Sequence, residues 1–364
     1  MLRVVAMVSV VMVHSVAWMG LSKPAATLIY SSLDRFMRFG VPVFVFLTGY
    51  VLVSTLLNKG FDPWGFSIGR VRRVVAPFLS WVLIYLGVYV AIGIVSVHSI
   101  QSVLELIWNG TIAGHLYFLG VACQFYLLYM IFPRNRRAAA VLLAVAIPLQ
   151  LMLTAIRASG WHPAAPLEIL FGYQAQWFGI WWIGYYALGV NAAWYRRPLM
   201  EWLASHRDWV ISGLAIVAPL AVFDTLKANA HGYDEIFRPS NFFLSVVVIA
   251  ALMSMAPLIR QRFSSIEGKL ELLAQRSLGV YLVHPLILMA TANFVQVSWN
   301  PLDFDGPLVL TLLTFVLVVV AVLVVSLTII GLVGWLPGAW LVGARKEARI
   351  MLRACSGRRV QVAA

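Results

Sequence analysis

The sequence predicts an all-α polytopic membrane protein with about ten transmembrane helices and both termini in the cytoplasm. Three observations carry this expectation. Of 364 residues, 62% are hydrophobic and 11% charged, with a mean hydropathy of +0.88. Apolar stretches of about 20 residues recur from end to end, each long enough for a ~30 Å hydrocarbon core. Inside such a run only a helix satisfies its own backbone, and the alternation of barrel strands is missing. Finally, 21 of the 27 basic residues fall in loops and ends that share a side with the N-terminus, which the positive-inside rule makes the cytoplasm.

The expected spans are, in order, 2–21, 36–57, 73–95, 116–133, 138–156, 176–195, 209–226, 241–259, 277–295 and 307–330. The opening, MLRVVAMVSVVMVHSVAWMG, could be read as a signal peptide cleaved after Ser15-Val16-Ala17. A His and a Trp beside that site, and the parity of the remaining spans, favour a retained helix. The net charge of +13 and pI near 10.1 are topology signals and do not point to nucleic acid. Cys123 lies within a span and Cys355 in the tail, so no disulfide framework is implied. Residues 331–344, GLVGWLPGAWLVGA, are ambiguous: an eleventh span would strand six basic residues outside, so a continuation of the last helix or an interfacial segment fits better. The expected organisation is a membrane domain over 1–344 and a basic cytoplasmic tail over 345–364, with no repeat or soluble domain.

Polar residues inside spans are costly and default to a functional reading. Arg3 and His14 are eleven residues apart, which returns an α-helix to within about 20° of the same face after a rise of about 16.5 Å. Arg3 therefore sits at the cytoplasmic surface and His14 past mid-depth on one stripe. In GRVRRVVAPFLSW, Arg70 and Arg73 share an α-helical face at i and i+3, and their forked guanidinium groups suit phosphates. The alternative is plain positive-inside anchoring. Pro77 could kink this helix. His115, in GHLYFLGVACQFYLLY, stands at the outer entrance of the fourth span. Ser277, Tyr281 and His284, in RSLGVYLVHPLIL, form one polar stripe followed by Pro285. In FGVPVFVFLTGYVL, the Gly and Pro residues read as packing or bending devices. Trp161, Trp177, Trp181 and Trp182 read as belt tryptophans, and Glu168 and Asp224 as solvated loop acids. A phosphate-binding GxxxxGK[ST] loop, HExxH, a metal-like His/Cys cluster and a GxSxG elbow do not occur.

Taken together these stretches resemble the membrane-bound acyltransferase-3 family. The resemblance rests on Arg-x10-His (Arg3, His14), Arg-x-x-Arg (Arg70, Arg73), GVPVFVFLTGY, GHLYFL and SLGVYLVHP, in the family's order over residues 1–290. Tyr117 departs from the Trp often found there. The hydrolase-like outer domain of some members is not expected, so the membrane part would do any transfer.

The resemblance implies O-acyl transfer, usually acetyl, from cytoplasmic acyl-CoA to a sugar hydroxyl of a cell-envelope glycan. It further implies a bacterial inner-membrane location and a lipid-linked exopolysaccharide repeat unit as first-choice acceptor. His14 would be the catalytic base or transient acyl carrier, and His115 would orient the acceptor or assist proton transfer. Arg3, Arg70 and Arg73 would bind the phosphates of acetyl-CoA, while Tyr281 and His284 line the acyl path. A sugar-facing surface could come from Trp161, Trp177, Trp181 and Trp182 with Glu168 and Asp224, although belt tryptophans and solvated acids are the commoner origin. No metal is expected; expected partners are acyl-CoA, the sugar acceptor, membrane lipid and other envelope-synthesis proteins. The competing expectation is a polysaccharide exporter or flippase, or a non-catalytic scaffold, for which broken helices in internal repeats would be the mark.

Overall fold

The computed structural model describes residues 1–19, 24–112, 114–132, 134–161, 163–165, 167–229, 237–298 and 308–344. Among the described residues there is no strand. The helices are α1 Leu2–Met19, α2 Pro24–Met37, α3 Gly40–Lys59, α4 Pro63–Arg70, α5 Ala76–Ala91, α6 Ile100–Trp108, α7 Tyr117–Ile131, α8 Arg136–Ala158, α9 Glu168–Phe171, α10 Ile183–Trp194, α11 Arg196–Ser205, α12 Arg207–Asn229, α13 Pro239–Arg262, α14 Glu267–Ser298 and α15 Leu308–Val333. Among the described residues, eight helical stretches are long and apolar enough to cross a bilayer: Ile29–Lys59, Pro63–Ala91, Gly114–Ile131, Arg136–Ala158, Arg207–Lys227, Pro239–Arg262, Glu267–Thr291 and Leu312–Val333. The shorter apolar α1, and α10 with the 3-10 turn Gly179–Trp182 before it, stand where the first and sixth spans were expected. The chain is an all-α polytopic membrane protein.

The third span begins earlier than the sequence reading placed it. Asp62 caps α4, its Oδ1 accepting the Gly65 N–H at 3.0 Å, with Pro63 at the first helical position. The arginine cluster therefore lies within a continuous run, Pro63–Ala91, rather than at its mouth. Between α4 and α5 the chain makes one π-helical turn, Val71–Val75, in which the Ala76 N–H bonds to the Val71 carbonyl five residues back. Pro77 explains the shift: it has no N–H to give the Arg73 carbonyl, so the α ladder cannot continue unchanged. The other additions are amphipathic helices: α2, α6 and α11.

The described residues form two compact units. The first comprises 1–44, 200–336 and 344; the second comprises 45–199 and 337–343.

In the first unit α1 packs on α2, α14 and α15, and α12 packs on α13 and α2. A side chain at Gly40 would strike Ser9, Val10 and the Ala6 carbonyl, so only glycine lets the α2–α3 turn lie flat on α1. The Ser9 hydroxyl donates to the Met37 carbonyl and pins the same turn. Arg260 at the end of α13 pairs with Glu267 at the start of α14 at 2.7 Å, and its charge also acts on the Met1 amine. The starts of α1 and α14 thus meet at one end of the unit, and the two helices run parallel.

In the second unit α8 is tied to α10 by buried amides. Gln150 Oε1 accepts the Gly184 N–H at 2.7 Å, and Asn191 Nδ2 donates to the Ala139 carbonyl at 2.8 Å. Helices α3 and α10 cross so closely that a Cβ at Gly49 would meet the Tyr186 carbonyl, and one at Gly189 the Phe46 carbonyl. Past α15, residues 339–342 form a 3-10 turn packed on α5, where Trp81 Nε1 donates to the Val342 carbonyl at 3.2 Å. Residues 334–344 are therefore turns and a 3-10 helix, not an eleventh span. The tail, 345–364, lies outside the described residues.

Candidate active site

In the first unit the His14 ring meets His284, with centroids 5.1 Å apart and planes tilted by 51°. Local sequence fixes the second ring. Pro285 has no N–H to offer the Tyr281 carbonyl four residues back, so that carbonyl is open to a side chain. His284 Nδ1 takes it at 2.8 Å and also lies 3.2 Å from the Val280 carbonyl. Carbonyl oxygens only accept, so Nδ1 carries the hydrogen and Nε2 the lone pair. His284 is wholly buried, and Tyr281 is buried beside it at 6.0 Å between ring centroids, with Phe44 6.3 Å beyond. Ser277 is satisfied by its own helix, donating to the Ala274 carbonyl at 2.9 Å, so the working part of that stripe is Tyr281–His284. Arg3 is half-buried near the start of the same α1 stripe.

The sequence reading missed a charged cluster in this unit. Arg38 donates to Asp34 Oδ2 through Nε at 2.9 Å and Nη2 at 2.6 Å, and Arg35 Nη1 donates to the same oxygen at 2.8 Å. Asp34 and Arg35 are 8% and 5% exposed, so these charges are buried. Arg38 and Asp34 also act electrostatically on the His14 ring. The available signal was the i, i+4 spacing in DRFMR on an amphipathic helix.

The second unit carries Arg70, Arg73 and His115. The Arg70 guanidinium lies 4.8 Å from the Tyr126 ring centre and 5.0 Å from that of Phe66. Arg73 is exposed and lies beyond the start of the π turn, so the α-helical i, i+3 relation does not hold between them. His115 is buried in the 3-10 turn Gly114–Leu116, with its ring edge-on to fully buried Tyr85 at 5.4 Å.

Trp181 and Trp182 are 1% and 3% exposed and donate to the Leu170 and Gln176 carbonyls, so they are core residues and not a sugar-facing surface. Asp224 belongs to the first unit, bonded by Arg238 at 2.8 and 2.9 Å and by Ser240. Trp177 does line an open cavity of about 430 Å³, with Trp108, Leu104, Ile107, Gln101 and Glu105. Gln124 holds its backbone, Nε2 donating to the Trp177 carbonyl at 2.6 Å, and Gly120 leaves room for its ring.

The described contacts thus bring His14, Tyr281 and His284 together in one unit, and set Arg70 and His115 each among aromatic residues in the other. No curated protein and no solved structure matches the chain. A family model described as an acyltransferase domain matches residues 1–331, in keeping with the Arg-x10-His, Arg-x-x-Arg and SLGVYLVHP stretches. The chain belongs to the acyltransferase-3 family and is a membrane acyltransferase.

Proposed function

We propose that this acyltransferase moves an acetyl group from cytoplasmic acetyl-CoA to a sugar hydroxyl of a cell-envelope glycan, a lipid-linked exopolysaccharide repeat unit being the best-fitting acceptor. The site would lie in a bacterial inner membrane, within a catalytic domain over 1–344. The observation that carries this reading is the His14–His284 contact on two parallel helices, at the far end of a stripe that begins at Arg3. A sugar hydroxyl is a poor nucleophile at neutral pH and needs a base, for which histidine is the natural group.

His14 takes the hydroxyl proton as the sugar oxygen adds to the thioester carbonyl, then returns it to the departing CoA thiolate. His284, its tautomer locked by the freed Tyr281 carbonyl, holds the His14 ring in place and with Tyr281 walls the acyl path. Arg3, Arg70 and Arg73 bind the donor phosphates, and His115 orients the acceptor. The cavity beside α6 takes the acceptor's hydrocarbon chain: its walls are mainly apolar, and it adjoins the exposed stripe of Ile100, Leu104 and Trp108, which faces lipid in a membrane. Keeping the transfer away from bulk water would limit hydrolysis of the thioester.

The test is transfer of label from radiolabelled acetyl-CoA into glycans by membrane vesicles containing the wild type or His14→Gln. Gln keeps hydrogen bonding but cannot cycle a proton, so transfer should fall by about 10²–10⁴-fold with normal protein level and unchanged acetyl-CoA affinity. Near-normal transfer by well-inserted His14→Gln would leave His14 a structural residue.

A further inference from the structure

The second unit holds a further arginine at the same end as Arg70. Pro133 has no N–H for the Tyr129 carbonyl four residues back, so the end of α7 is open to a side-chain donor. Arg134 fills that role: its Nη1 donates to the Met130 carbonyl at 2.8 Å and to the Tyr129 carbonyl at 3.1 Å. The face of its guanidinium lies 3.7 Å from the centre of the Phe61 ring. One corner and one face are thereby fixed. Among the described residues, Nε and Nη2 make no hydrogen bond and no carboxylate pairs with the group.

Arg70 and Arg134 are set on one aromatic cluster. Phe61 lies 6.5 Å from Phe66 and 5.7 Å from Tyr129, and Phe66 lies 5.2 Å from Tyr129. Phe66 in turn carries Arg70, 5.0 Å away, and both guanidinium charges act on the Tyr129 hydroxyl. Asp62, next to Phe61 in the chain, is occupied by the Gly65 N–H. Both arginines are half-buried. Held by rings and carbonyls rather than by carboxylates, they keep their full charge for an anion, and their ordering is complete before it arrives. The depth order follows from α7. Arg70 touches Tyr126, whereas Arg134 bonds the carbonyls of the last turn, so Arg134 stands nearer the α7–α8 turn. The basic excess marks that side as cytoplasmic.

We propose that Arg134 binds the 3′-phosphate of the donor's coenzyme A and so makes the enzyme select it over the dephosphorylated form. The proposal rests on the acyl-transfer reading above, in which the thioester points into the membrane. Passing outward from the thioester, coenzyme A presents its diphosphate first and the phosphomonoester on the far side of the same ribose second. Arg70, the deeper cation, meets the diphosphate. Arg134, at the rim, offers its open Nε and Nη2 edge to the phosphomonoester, a fork that matches two phosphate oxygens.

Calorimetry on the full-length protein in phosphatidylcholine nanodiscs tests this with acetyl-CoA and acetyl-dephospho-CoA. The wild type should prefer acetyl-CoA by about ten- to hundredfold, and Arg134→Gln should lose that preference while holding acetyl-dephospho-CoA within about threefold of wild type. Arg70→Ala should weaken both ligands alike. The unchanged affinity for acetyl-dephospho-CoA also reports a folded site. Because Gln gives up the bonds that close α7, Phe61→Leu is the second variant. It keeps the charge and those bonds but removes the ring that sets the guanidinium plane, and should cost about threefold in preference. A full preference for acetyl-CoA in either variant would overturn the role of Arg134. So would an effect of Arg134→Gln seen only when anionic phosphatidylglycerol is added to the discs, which would give the residue to a lipid headgroup. A wild type that binds both ligands equally sinks this assignment alone; one that binds neither sinks the acetyl-CoA donor as well.

Discussion

His284 and Pro285 show how two adjacent residues set a proton. The missing N–H of Pro285 frees the Tyr281 carbonyl, that carbonyl fixes Nδ1–H, and the lone pair is left on Nε2. Arg70 shows the same economy of placement. A bare arginine at a membrane surface samples many rotamers, but this one is held by the rings of Tyr126 and Phe66, contacts worth about 0.5–1 kcal/mol when exposed and about 2 when desolvated. Arg73 is exposed. Both arginines are assigned to donor phosphates, so the preset one should matter more. Arg70→Ala should weaken acetyl-CoA binding by about ten- to hundredfold, since a charge-assisted phosphate contact is worth roughly 1.5–3 kcal/mol. Arg73→Ala should cost less, and Arg70→Lys should restore binding only in part because the fork is lost. Calorimetry with acetyl-CoA decides it; unchanged affinity in Arg70→Ala would return the residue to membrane anchoring.

At the scale of elements, α6 gives the next prediction. Ile100, Leu104 and Trp108 recur every four residues and are 82%, 61% and 40% exposed, while Gln101 and Glu105 bond each other at 2.9 Å on another face. Such a helix lies in the membrane interface. If its cavity holds the chain of a lipid-linked acceptor, Leu104→Glu should lower label in the lipid-extractable glycan fraction by about tenfold and leave acetyl-CoA affinity unchanged. Equal labelling would remove the cavity from the reaction. The same element marks the limit of what the sequence disclosed. The long apolar helices were legible because each satisfies its own backbone and needs no tertiary partner to exist. His14 was legible for the same reason, as a polar group in such a helix. Helices α2 and α11 are amphipathic, with a mean hydropathy below that of a span, and α6 is too short to cross, so all three read as loops. Asp34 and Arg35 were lost with α2, since a loop charge looks solvated until packing buries it. Gly49 and Gly189 read only as small residues in helices; that they form one close crossing depends on the register of α3 against α10.

For the whole molecule the controlling quantity is charge asymmetry across the bilayer. By the sequence count, 21 of 27 basic but only 6 of 14 acidic residues lie on the side of the termini. The structure sharpens the contrast. Of the basic residues assigned to the other side, Arg35 and Arg38 are bound to Asp34, Arg157 is buried with both terminal nitrogens 3.3 Å from the Gly172 carbonyl, and Arg238 is paired with Asp224. A cation already committed to a carboxylate or carbonyl competes poorly for retention in the cytoplasm, whereas Arg72, Arg73, Arg136 and Arg137 are exposed and remain available. The bias therefore exceeds the raw count, and the side carrying the α11–α12 turn should be cytoplasmic. In a Cys123→Ala/Cys355→Ser background, a membrane-impermeant maleimide applied to intact spheroplasts should label His98→Cys, which is exposed in the segment before α6. It should label Ala204→Cys, exposed near the end of α11, only after the membrane is permeabilised. The opposite pattern would invert the protein. Arg3 would then stand on the side without coenzyme A, and cytoplasmic acetyl-CoA would no longer be a tenable donor.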